Sequence, residues 1–202
     1  MTNTPSTQST ASVSSSSPGV GTGGGPGVGT GERGDFVEVL RKHRDLFRRT
    51  VAGLTDEQAR LTPTVSTLSL GGLVKHVAAT EQEWARFVID GPATTPDIDW
   101  LHVDWTNPPP EVRQYADGFR MVEGETLAGL LAQYAEVAAA TDELVLSVDL
   151  DARQPLPEAP WFEPGASWSA RRVFMHVVAE TAQHAGHADI LRETIDGQKT
   201  MG

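Results

Sequence analysis

The 202-residue chain contains no cysteine. That absence excludes disulfides, a protein thiolate nucleophile and Cys-ligated zinc, and restricts any metal site to histidine and carboxylate ligands. No apolar run approaches the roughly 20 residues needed to span a bilayer, and no basic amphipathic helix suits a membrane surface. Positive charge is also scarce, with 16 Lys and Arg against 27 Asp and Glu, a formal net charge of −11. Such a chain repels phosphate backbones at long range, which disfavours nucleic acid as a partner. The first residues have neither an Arg-rich nor an apolar leader character, and no internal repeat is evident. The expectation is a soluble, cytoplasmic protein without nucleic-acid or membrane partners.

What is present divides the chain in two. Residues 1–34 hold nine Gly, seven Ser, six Thr and three Pro, and Glu32 and Arg33 are their only charges. This composition cannot bury enough apolar area to offset its conformational entropy, so it reads as a disordered tail. Residues 35–202 are long enough for one domain with a sizeable core. Within them, Phe36, Val39, Leu40, Leu46, Phe47 and Val51 recur at helical intervals over 35–54, with Asp35 as the expected cap. A second helix is predicted over 69–90, closed by Gly91-Pro92, a third over 125–148, and a fourth from the N-cap Ser169 to Asp196-Gly197. The link 91–124, rich in Pro and carrying Trp100 and Trp105, reads as irregular, and long loops of this kind are often functional. Four helices with no strand series predict an all-α four-helix bundle.

The most informative stretch is Met175 to His187, which holds three of the six histidines and one glutamate. At about 100° per residue, with Glu180 as zero, His184 falls near +40°, His187 near −20° and His176 near −40°. Val173, Val177 and Leu191 share that stripe. Titratable groups interleaved with core residues are costly to bury unless they are paired or bind a metal. Glu180 and His184, four apart, could chelate one ion, though a solvated intrahelical pair has the same spacing. His76 lies within Leu73-Val74-Lys75-His76-Val77 on another apolar helix, either as a core histidine bonded to a carbonyl or as a third ligand, since bundle cores build metal sites from facing helices. His176 fits hydrogen bonding around such a site, and Glu83, seven residues after His76, either lines it or is a solvated helix-end residue.

Leu73-Val74-Lys75-His76-Val77 with Glu83-Trp84, taken together with the run from His176 to Glu193, resembles the DinB-like superfamily over about residues 35–197. More narrowly, it is similar to the actinobacterial branch related to mycothiol-dependent maleylpyruvate isomerases and mycothiol transferases. The resemblance implies a four-helix bundle holding a divalent metal, with His76, Glu180 and His184 as ligands. Glu180 stands where many relatives have histidine, a departure towards the isomerase-like His/Glu/His set. His187 stands where many relatives carry glutamine.

Zinc is the expected ion, nickel and iron being compatible with the same ligands. The implied chemistry is activation of a low-molecular-weight thiol such as mycothiol for attack on a small electrophile, by S-transfer or isomerisation. His187, near the metal by helical phase, is the candidate catalytic proton shuttle. The alternative is a non-catalytic metal-binding or stress-related interaction protein. A broad apolar helix face is compatible with a homodimer.

Overall fold

The computed structural model describes residues 30–93, 103–104, 106–157 and 162–200. Its elements are α1 (Glu32–Thr50), α2 (Asp56–Arg60), α3 (Leu70–Asp90), α4 (Pro110–Asp117), α5 (Leu127–Ser147), β1 (Arg153–Pro155), β2 (Ser167–Ser169) and α6 (Ala170–Asp196). No helix among the described residues is long and apolar enough to cross a membrane.

The four long helices start and stop where local chemistry dictates. Ser69, Thr126 and Ser169 each accept a hydrogen bond from the backbone N–H three residues on, capping α3, α5 and α6. Gly197 closes α6 at φ 77°, in the left-handed region that disfavours a side chain. Asp35 is not the cap of α1: that helix begins at Glu32 behind Gly31, and Asp35 lies in its first turn. Glu32, at the end of the low-complexity stretch, is therefore helical, and it pairs with Arg171 of α6. At the other end, α1 stops at Thr50, where the buried Arg192 donates to the carbonyls of Thr50 and Ala52 at 3.0 and 2.9 Å.

Packing closes a ring in which α1 meets α6 and α5, and α3 meets α5 and α6. One apolar cluster joins Phe47, Leu70, Leu73, Tyr134, Ala188 and Leu191, and a second joins Leu40, Phe87, Val88, Val145, Val173 and Phe174. The chain order within the two clusters fixes the directions: α1 and α6 run together, and α3 and α5 run the opposite way. Parallel neighbours α3 and α5 need a connection that returns along the whole bundle, roughly 30 Å for 21-residue helices. This is the physical reason for the long link. The link is not wholly irregular, since it contains α4, which Pro110 opens at the first helical position, a place where its missing N–H is harmless. Trp100 and Trp105 lie outside the described residues. The Pro-rich connection before α6 also carries a small antiparallel pairing, Gln154 opposite Trp168, with Pro155 tolerated because the strand is at an edge.

Between the two apolar clusters lies a polar layer. Arg44 of α1, 4% exposed, reaches Glu81 of α3 at 2.5 and 3.1 Å and Asp142 of α5 at 2.7 Å, while Glu81 itself is 1% exposed. Buried charges persist only when paired and hydrogen-bonded, and removing one partner strands the others. Arg44→Met is expected to lower stability by about 3–5 kcal/mol in urea denaturation. Arg120→Met, which breaks the exposed pair with Asp117, should leave the midpoint nearly unchanged.

Candidate metal centre

Three residues converge at the seam between α3 and α6. His76, Glu180 and His184 each offer one ligand atom, and these atoms all lie within 4.8 Å of one another. His184 Nε2 is 3.6 Å from Glu180 Oε2, and the rings of His76 and His184 meet edge to face at 4.9 Å. A helix brings Glu180 and His184 to one side through their i,i+4 spacing, and the antiparallel approach of α3 adds His76.

The three are half-buried, with the His184 side chain 15% and that of Glu180 28% exposed. The buried residues of α6 spread over about 20–120° to one side of Glu180, from Val173 and Leu191 near 20° to Phe174 and Arg192 near 120°. The histidine stripe therefore borders the core rather than forming its centre, and Glu180 stays hydrated on one side. Burial lowers the ionisation of His76 and His184; neighbouring His184 adds to this at His76 and His187 adds to it at His184, while Glu180 opposes it at both. Both imidazoles are thus held towards the neutral form that a metal requires.

His76 is fixed from its other side by Phe119, whose ring stacks on it at 4.5 Å and 26°. Phe119 is missing from the sequence reading because it lies in the link, yet Gly71-Gly72 carries its signal. A Cβ on Gly72 would fall 2.0 Å from the Phe119 carbonyl oxygen, and one on Gly71 2.1 Å from Met121 Sδ. The glycine pair lets the end of the link lie directly against the first turn of α3.

The remaining predicted residues distribute around this centre. His187 Nδ1 is 3.4 Å from His184 Nδ1, so His187 faces the ring nitrogen of His184 remote from the Nε2 that approaches Glu180. His176 Nε2 lies 3.7 Å from Glu180 Oε1, and burial lowers its ionisation as well. Glu83 is exposed; the buried glutamate of that helix is Glu81, engaged with Arg44. Trp84 and Trp168 stack on each other at 4.9 Å beside His176, whereas Trp161 lies outside the described residues.

A four-helix bundle carrying a His/Glu/His group at the α3/α6 seam is the arrangement that the resemblance to the DinB-like superfamily anticipates. A conserved protein from Enterococcus faecalis, known from its crystal structure, shares this fold with a TM-score of 0.58 at 17% identity, over 84% of this chain and 100% of that one. No curated protein matches the chain in sequence. The profile of the mycothiol-S-transferase family matches residues 35–197, and the chain belongs to that family.

The lowered histidine ionisations carry a stability consequence. A histidine whose folded pKa lies below its unfolded value of about 6.5 resists protonation in the native state, so stability is complete above that value and declines as pH falls below it. Metal-free protein is expected to show a lower urea midpoint at about pH 5.5 than at about pH 7.5, and His76→Phe should flatten that dependence.

Proposed function

We propose that the protein activates a low-molecular-weight thiol, mycothiol by family, at a divalent ion held by His76, Glu180 and His184, for attack on a small electrophile. The observation that carries this reading is the convergence of those three donors within 4.8 Å at a half-buried seam. Two imidazoles and one carboxylate are a donor set suited to zinc, with nickel and iron compatible, and three protein ligands leave room for an exogenous one. An ion bound there supplies Lewis acidity that favours loss of the thiol proton.

The chain's own residues do the rest. Because the sequence has no cysteine, the reacting sulfur comes from the cosubstrate. In S-transfer, the sulfur lone pair forms the S–C bond, the leaving group departs with its electron pair, and the thiol proton passes to a base. His187 is the proposed base: beside His184, its neutral imidazole accepts the thiol proton on the one ring nitrogen that carries no hydrogen and becomes imidazolium. Phe119 and Trp84 cover the two flanks of the seam, stacking on His76 and packing on His176, and so restrict water near the thiol. A mycothiol-using enzyme of this kind works in the cytoplasm, where such a thiol is kept reduced.

Metal analysis of purified protein is expected to give about one ion per chain, lost in His76→Ala and in His184→Ala. Metal-loaded protein should accelerate conjugation of monochlorobimane by mycothiol, and His187→Ala should lower turnover and alter its pH profile. No acceleration by any thiol would replace the enzyme reading with that of a metal-binding protein.

A further inference from the structure

His176 touches none of the three proposed donors except Glu180, yet it is held more firmly than an incidental neighbour requires. Its ring meets Trp84 at 4.8 Å and Trp168 at 5.1 Å, edge to face in both cases, and those two indoles stack at 4.9 Å and 17°. The outer face of the stack is closed by the Arg172 guanidinium, 4.7 Å from the Trp168 ring centroid. Three separate elements build this box. Trp84 comes from α3, Arg172 and His176 come from α6, and Trp168 comes from β2. The small sheet is itself anchored: Gln154, opposite Trp168, donates its side-chain amide to the carbonyls of Val88 and Ile89 at 3.3 and 3.2 Å, near the end of α3. A histidine placed only by helical phase would not need a sheet, a tryptophan pair and an anchored glutamine around it.

What the box fixes is the approach to Glu180. The carboxylate is bracketed along α6, with Oε1 3.7 Å from His176 Nε2 and Oε2 3.6 Å from His184 Nε2. Both separations exceed a formed hydrogen bond but need only a small side-chain movement to close. A carboxylate with both oxygens free can bind an ion through one or both, whereas a donor on one oxygen leaves the other to ligate. We infer that His176 is a positioning residue: its Nε2–H takes Oε1 of Glu180 and directs Oε2 to the point shared with His76 and His184. The inference rests on the metal-site reading above and adds to it the device that sets how tightly and in which mode the carboxylate binds.

The test measures affinity for Zn²⁺ and Co²⁺ by chelator competition on full-length protein, alongside thermal melting of the metal-free forms. His176→Phe keeps an aromatic ring against the tryptophan pair but removes the donor. It is expected to bind both ions about 10–100-fold more weakly with little change in melting. His176→Gln, which restores an N–H donor in a similar position, should recover most of that loss. Wild-type affinity in His176→Phe overturns the inference while leaving the metal site intact, and a glutamine variant as weak as the phenylalanine one does the same by reducing the contact to packing. If the phenylalanine variant does not fold, the comparison of His176→Gln with His176→Ala decides, equal affinities overturning the inference. A wild-type protein that binds neither ion overturns both the inference and the reading beneath it.

Discussion

The buried charge layer formed by Arg44, Glu81 and Asp142 governs the rest of the structure. It joins α1 to α3 across the diagonal of the bundle and ties both to α5. Apolar packing alone is permissive about sliding and rotation, because leucines and valines can exchange neighbours at little cost. A desolvated guanidinium that must meet two carboxylates is not permissive: a helix that slips by one turn leaves a charge unpaired in the interior. Tyr134 lies in the same region, and burial next to Glu81 pushes its hydroxyl ionisation well above the ordinary phenol range, so it stays neutral there. On α6 the layer is continued by the buried Thr181, which donates its hydroxyl to the Val177 carbonyl rather than leaving it unsatisfied. Glu180 is its immediate neighbour in sequence, and His76 lies five residues before Glu81. The interaction that fixes the level of α3 in the bundle therefore also fixes the level at which His76 meets α6.

Much of this was readable from the chain. The caps Ser69, Ser169 and Gly197 are residue types with one dominant local use, and they mark the helices to within a residue. The grouping of His176, Glu180 and His184 follows from helical phase, which no tertiary contact can alter once the helix forms. Other features depended on partners that phase does not show. The first helix starts earlier than its acidic residue suggested because Glu32 finds Arg171 on a helix far away in sequence. The link gained α4 because a proline cluster that breaks one helix can also open another. Glu81 was legible in principle: it falls on the stripe Leu70, Val74, Val77 and Val88, where an acidic residue must be paired. Glu83, two residues away, is on the solvent side. A partner such as Arg44, 37 residues distant, cannot be identified from periodicity.

The border position of the histidine stripe reconciles two demands that conflict at the centre of a bundle. Full burial would hold the imidazoles neutral but would strand the Glu180 carboxylate and exclude a small molecule. Full exposure would admit the molecule but leave long side chains free to rotate, which weakens any shared geometry. At the seam each ring has one packed side and one open side. Phe119 packs His76, the tryptophan pair packs His176, and His187 stands against His184. The connections contribute to these packed sides alongside the long helices: Phe119 follows α4 and Trp168 arrives on β2, while Trp84 belongs to α3 and His187 to α6. The bundle sets where the donors meet, while the α3–α5 link, which the parallel arrangement of those helices requires, and the connection before α6 add packing beside His76 and His176. A chain of this topology can thus change its chemistry through its connections without disturbing the charged layer that holds its helices in register.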